Sequence, residues 1–360
     1  MPQTISAEVR ALMRPSAAAL EPYDPAFSRV EVNLSANENT YGMPAPAREA
    51  TLAEIAAVAE NRYPVPLADA VRAELAQVHG IAPERIAIGN GGDELLFNLF
   101  IAFGGAGRVL VNCPPTFSVY ELYAGLAETP ITNVPRDPET FEPDADALVE
   151  AARSANLVIL TSPNNPTGDL VPLETVRRVC EACSGIVLLD EAYGEFSAPG
   201  ASAESLLDTY ANLAVLHTLS KAFCLAGGRI GYILASTDVV AALAAVRQPY
   251  SVSVFDQAAA VAVVRERALF MPTIAQIVQE RARLSSRLAA LEGVRVWPSE
   301  SNFLLVRVPD AHRVWERLRD EHSILVRDFS RTPGLADCLR ITVGTPEEND
   351  RVIAALSALM

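Results

Sequence analysis

Between residues 67 and 233 the chain alternates two patterns, helical stretches with apolar residues three and four apart and short runs that are apolar throughout. The runs fall at 86–88, 109–111, 157–160, 186–189, 213–216 and 230–234. A strand that must face packed helices on both sides has no polar side to show, so unbroken apolar runs between helices predict a mostly parallel sheet covered on both faces. Amphipathic stretches at 95–103 and 173–183 supply two of the covering helices. After residue 248 the rhythm changes. Long helical patterns at 256–267 and 273–291 are followed by strand-like runs at 303–308, 324–326 and 339–343, and by a terminal helix at 346–359. The expected fold is α/β: a large unit with a mostly parallel central sheet sandwiched by helices (41–248), and a smaller C-terminal α/β unit (249–360) that residues 1–40 join as an arm.

Composition narrows the function. The chain has 360 residues, of which 50% are hydrophobic, enough for about two domains with their own cores. Its net charge of −15 argues against nucleic acid or an anionic membrane as partner, since either needs a basic surface. Glu8, Arg10 and Arg14 interrupt the N-terminal apolar positions, and no stretch is long and apolar enough for a membrane span, so a soluble cytoplasmic protein is expected. Five cysteines, an odd number, fit reduced thiols. Cys180 and Cys183 lie inside a helical pattern with no second pair nearby, and His79, His217, His312 and His322 lack ligand spacing, so no metal site is expected.

One position stands out chemically. Lys221 is the only lysine among 29 basic residues. Arginine can replace lysine as a surface charge, but it cannot lose its proton or condense with an aldehyde. A primary amine kept at a single position suggests Schiff-base chemistry. The run Thr218-Leu219-Ser220-Lys221-Ala222-Phe223, with Arg229 eight positions on, resembles the lysine segment that holds pyridoxal 5′-phosphate in fold-type I aminotransferases.

Other groups such a cofactor needs stand in suitable places. Asp190 ends the run 186–189, at the strand edge where parallel sheets bind ligands, and its charge would keep a pyridine nitrogen protonated. A carboxylate there also serves as a cap. Tyr193 follows as a donor to the ring oxygen. Gly89-Asn90-Gly91-Gly92-Asp93-Glu94 opens a helix whose free amides, at Gly92 and Asp93, suit a phosphate, with Thr218, Ser220 and Arg229 adding two hydroxyls and a charge. Phe117 follows a strand and could stack on the ring, or fill the core. Ser162-Pro163-Asn164-Asn165-Pro166-Thr167-Gly168 reads as a tight turn, yet as a whole string it matches the family turn whose asparagine touches the ring oxygen and the substrate carboxylate, a role the resemblance gives Asn165.

Nearly the whole chain resembles the histidinol-phosphate aminotransferase family. Leu34-Ser35-Ala36-Asn37-Glu38-Asn39 is similar to its N-terminal signature, and Asn61-Arg62-Tyr63-Pro64 to the segment whose tyrosine reaches the cofactor phosphate of a neighbouring subunit. The resemblance therefore implies a homodimer with shared sites. It places Arg340 on the substrate carboxylate and Arg327, thirteen positions earlier, on the substrate phosphate, helped by Tyr23, with Asn37 also at the substrate. Phe117 stands where tyrosine is common, and Thr40, Val65, Gly92 and Gly228 also depart from frequent choices. The implied reaction is amino transfer between histidinol phosphate and 2-oxoglutarate. An aromatic-amino-acid aminotransferase and a threonine-phosphate decarboxylase are the rival enzymes. A cofactor-binding regulator is disfavoured by the acidic chain and by the roughly thirty residues before the signature, too few for a DNA-binding region.

Overall fold

A computed structural model describes residues 5–18 and 28–360, so Tyr23 lies outside the described residues. The first strand, β1 (Val32–Asn33), stands apart from the main sheet. That sheet consists of β2 (Ile86–Asn90), β3 (Leu110–Asn112), β4 (Ile131–Asn133), β5 (Leu157–Thr161), β6 (Ile186–Asp190), β7 (Leu213–Thr218) and β8 (Ile230–Ala235), in the spatial order β2-β8-β7-β6-β5-β3-β4. The pairs among β4, β3, β5, β6 and β7 are all parallel. β8 runs against both β2 and β7, so it alone is reversed.

The strands carry two cores, as their unbroken apolar runs require. On β5, Leu157 and Ile159 join the core that also holds Leu99 and Phe100 of the helix Gly91–Phe103 and Leu243 of the helix Thr237–Val246. Val158 and Leu160 point the other way, into the core shared with Leu148, Val176 and Val179 from the helices Ala145–Ala152 and Leu173–Ala182. Alternation along one strand thus serves both layers. β4 escaped the sequence reading because it is a three-residue edge strand whose side chains are all exposed.

The smaller sheet has the order β12 (Arg327–Asp328), β13 (Cys338–Thr342), β10 (Phe303–Arg307), β9 (Arg295–Val296), and all its pairs are antiparallel. The run expected at 324–326 divides. Ile324 and Leu325 form β11, which pairs in parallel with β1 instead of joining that sheet. The Val326 carbonyl accepts a hydrogen bond from the Trp315 indole at 2.9 Å, and the ladder resumes only at Arg327. The helix expected from 256 begins at Val254, where the Ser253 hydroxyl caps the Asp256 amide, and it packs on the helices Ala45–Ala56 and Asp69–His79. The terminal helix Pro346–Leu359 starts with a reciprocal capping box between Thr345 and Glu348. No helix among the described residues is long and apolar enough to cross a membrane.

Candidate active site

Because every strand of the main sheet except β8 runs the same way, the turns after β2, β3, β5, β6 and β7 meet at one edge. The reversal of β8 adds the chain segment that matters most. It leaves from the end of β7 and returns to the start of β8 at that same edge, so both ends of residues 219–229 are held there, with Lys221 near one end and Arg229 at the other. A cavity opens at this edge. Gly92 and Asp93 line it from the turn after β2, Phe117 from that after β3, and Asn165 from that after β5. Asp190 and Tyr193 come from β6, and Thr218, Ser220 and Lys221 from β7. Arg229 closes that side, while Asn37, Arg327 and Arg340 reach in from the smaller sheet and its neighbouring arm.

Lys221 is half-buried and donates from Nζ to the Ala36 carbonyl at 3.0 Å. Burial, helped by the guanidinium of Arg340, brings its ammonium down to a pKa of about 8, so neutral amine is available close to neutrality. Asp190 is 4% exposed. Its Oδ1 accepts the Ala192 amide at 3.0 Å, and its Oδ2 accepts the Tyr120 hydroxyl at 2.7 Å. It therefore does cap its own turn, yet a second oxygen is held by a tyrosine from another element. Burial raises its pKa, against the pull of those two donors.

The turn before the helix Gly91–Phe103 is shaped by glycine. Gly91 has φ +77°, and a Cβ on Gly231 would sit 2.5 Å from the Gly92 nitrogen, so β8 and the helix start can approach this closely only without side chains. The result is a helix N-terminus beside the hydroxyls of Thr218 and Ser220, which bond each other at 2.9 Å. Arg229 Nη2 meets Asp93 Oδ2 there at 2.7 Å. Amides, hydroxyls and a guanidinium make an anion cradle.

Two arginines define the opposite wall. Arg327 and Arg340 are direct cross-strand partners on β12 and β13, which turns a thirteen-residue separation into adjacency. Arg340 is buried between the rings of Phe303 and Phe329, donates to Asn165 Oδ1 at 2.6 Å, and donates to the Ser35 carbonyl at 2.5 Å. Asn37 donates to the Tyr193 hydroxyl at 3.0 Å and accepts from Thr342 at 3.1 Å, which ties the N-terminal arm to the cavity floor.

One expected residue is not brought in by its own chain. Tyr63 is 83% exposed, and its ring stacks on Tyr250 at 4.7 Å, away from the cavity. Several lining residues went unnoticed in the sequence: Tyr120, Thr161, Thr116 and Phe329. None belongs to a motif. Phe329 had one signal, its place two residues beyond Arg327, since alternate residues of a strand share a face. The cysteines at 180 and 183 are free and buried, and burial pushes the Cys180 thiol up to about 12.

A single lysine amine, a buried carboxylate and an anion cradle at the carboxyl edge of a mostly parallel sheet define an α/β enzyme of the lysine-dependent, cofactor-binding class. The particular family is aminotransferase class I and II, to which the chain belongs: the family profile matches residues 29–356. A histidinol-phosphate aminotransferase of Carboxydothermus hydrogenoformans is 40% identical over 344 residues, covering 95% of this chain and 97% of that protein. Among solved structures, histidinol-phosphate aminotransferase from Sinorhizobium meliloti, in complex with pyridoxal 5′-phosphate, superposes with a TM-score of 0.87 at 28% identity, over 96% of this chain and 97% of that one. An L-threonine-O-3-phosphate decarboxylase from Porphyromonas gingivalis is also similar, with a TM-score of 0.80 at 26% identity, over 91% of this chain and 99% of that one.

Proposed function

We propose that this aminotransferase uses pyridoxal 5′-phosphate to move an amino group from histidinol phosphate to 2-oxoglutarate, giving imidazole acetol phosphate and glutamate. The observation that carries the reading is the pairing of Arg327 with Arg340 across from Lys221, which gives one cavity two cationic groups for a substrate besides the cradle at its other end. A dianionic amino-alcohol phosphate and a dicarboxylic 2-oxo acid are both held better by two neighbouring cations than by one.

The residues fit the cofactor. The amides of Gly92 and Asp93, the hydroxyls of Thr218 and Ser220, and Arg229 would hold its phosphate, and Asp190 would face its ring nitrogen. Phe117 would cover the ring face, with Tyr193 and Asn165 at the ring oxygen. When bound, the cofactor supplies an aldehyde for the amine and a ring that accepts electrons. The chain supplies the rest. Asp190, ionised, keeps a proton on the ring nitrogen. Lys221 Nζ takes the proton from the substrate Cα and returns one on the product side, a role its lowered pKa suits. Arg340, oriented by Asn165, would grip the α-carboxylate of 2-oxoglutarate in a forked geometry, and Arg327, with Tyr23 and Asn37 and with Arg340 beside it, would receive the phosphate of histidinol phosphate, which carries no carboxylate.

This reading includes a cytoplasmic homodimer in which Tyr63 completes the partner's cofactor site, and the division at residues 40 and 248 into arm, cofactor-binding unit and smaller unit. A threonine-phosphate decarboxylase shares the fold and the need for a phosphate cation, and carbon dioxide release without amino transfer would select it. Lys221→Arg is the direct test: charge is kept and only the condensing amine is lost. The variant should fold but lose both the visible absorption of bound cofactor and turnover, and retention of both would overturn the reading.

A further inference from the structure

Tyr120 belongs to no sequence motif, yet it is fully buried in the wall of the cavity. It sits on the helix Val119–Leu126, packed against the main sheet, and its hydroxyl lies 2.7 Å from Asp190 Oδ2 and 2.8 Å from Thr161 Oγ1. The Tyr120 hydroxyl donates to Asp190. A hydroxyl has one proton, so Thr161 donates to Tyr120 in turn. Thr161 is the cross-strand partner of Asp190 on β5, so the three residues form a closed group across neighbouring strands. The Tyr120 ring also meets Phe117 edge-on at 5.6 Å, which couples the residue that aims the carboxylate to the ring that lines the cavity wall.

We propose that Tyr120 is the positioning residue that keeps Asp190 ionised and aimed into the cavity, an inference that rests on reading Asp190 as the partner of the cofactor's ring nitrogen. A carboxylate 4% exposed is costly to keep charged, and only hydrogen bonds and nearby charges offset that cost. Among the described residues, Asp190's own turn supplies the Ala192 amide, the helix Gly91–Phe103 supplies Asp93, which opposes ionisation, and β7 supplies His217, which favours it. Tyr120 is the side chain that, among the described residues, hydrogen-bonds it, at 2.7 Å. Burial holds the Tyr120 phenol far above its ordinary value of 10, so its hydroxyl remains a donor throughout the working range.

The test compares parent, Tyr120→Phe and Thr161→Val, with Asp190→Asn as reference, in two forms. In the cofactor-free protein, the Asp190 carboxyl is titrated by isotope-edited infrared difference spectroscopy, its band identified by its disappearance in Asp190→Asn. Tyr120→Phe should raise the titration midpoint by about one to two pH units, the proton-affinity equivalent of one charge-assisted hydrogen bond. Thr161→Val should shift it the same way by less. In the loaded enzyme, Tyr120→Phe should move the acid limb of the kcat profile up by the same interval and lower kcat at least tenfold near neutrality, with KM for both substrates within about twofold. A folded Tyr120→Phe whose midpoint and acid limb match the parent overturns the proposal. If Tyr120→Phe does not fold, Thr161→Val decides alone, and an unshifted midpoint overturns the proposal equally. A parent that binds no cofactor, or an Asp190→Asn variant of full activity, would instead overturn the reading of the cavity, while the cofactor-free titration still decides the part played by Tyr120.

Discussion

Lys221 and Arg327 show how differently two basic side chains can be constrained. At position 221 the chemistry needs an amine that can lose its proton, and the surrounding burial and cations bring its pKa down to about 8. At position 327 it needs a permanent charge with fixed donors, directly across the strand pair from Arg340. On the proposed reading, removing that charge would leave the substrate phosphate without its cation, and each hydrogen bond to a charged group contributes about 1.5 to 3 kcal/mol. Arg327→Ala should therefore cut kcat/KM for histidinol phosphate roughly a hundredfold or more. The 2-oxoglutarate half-reaction should suffer less, because its side-chain carboxylate would meet the same arginine with a smaller charge. Steady-state kinetics of each half-reaction checks this, and unchanged histidinol-phosphate turnover would remove the phosphate from Arg327.

At the scale of elements, the face of the sheet behind the cavity poses a different electrostatic problem. His217 on β7 is 4% exposed among Glu191, Glu195 and Glu204, and its ring stacks on Tyr232 at 5.2 Å. Burial alone would discharge it. The contact with the Glu204 carboxylate at 3.1 Å and the charges of Glu191 and Glu195 outweigh burial and push its pKa up to about 9. His79 shares Glu204 at 2.8 Å, and Glu195, buried, is itself pushed up to about 7. The sign follows from linkage. A group with a folded pKa above its ordinary 6.5 stabilises fully below that value and loses its contribution as pH rises through about 9. Thermal stability should thus fall between about pH 7 and 9. In His217→Gln the slope over that interval should flatten, and an equally steep slope in the variant would place the charge elsewhere. The same elements explain what the sequence could and could not reveal. Buried strands announce themselves by apolar runs because both faces are covered, whereas β4, exposed and three residues long, leaves no such trace. Arg327 and Arg340 were legible as motif residues, but their adjacency comes from the β12–β13 register, which no local pattern encodes. Tyr120 reads as one more apolar position on a helix, and only the packing of that helix against β5 and β6 brings its hydroxyl to Asp190.

For the whole molecule, what the chain leaves exposed is as informative as what it buries. Tyr63 and Tyr250 stack on each other, 83% and 44% exposed, with Val65, Leu67 and Phe255 also exposed on nearby chain segments. A tyrosine placed outside its own cavity can serve a cofactor only in a second copy. Mixing Tyr63→Phe with Lys221→Ala and allowing subunits to exchange should restore activity beyond that of either variant, since one hybrid site then carries both native residues. No recovery despite exchange, verified by mass spectrometry, would confine each site to one subunit.

The central claim is the identity of the amino donor, and comparing kcat/KM for histidinol phosphate and for phenylalanine, each with 2-oxoglutarate, tests it most directly. Both donors offer an amine and an aromatic ring, but only one brings the phosphate that Arg327 and Arg340 together can receive. Histidinol phosphate should be preferred by at least a hundredfold, with glutamate formed in step with imidazole acetol phosphate. Equal or greater efficiency with phenylalanine would contradict the account and make the enzyme an aromatic-amino-acid aminotransferase.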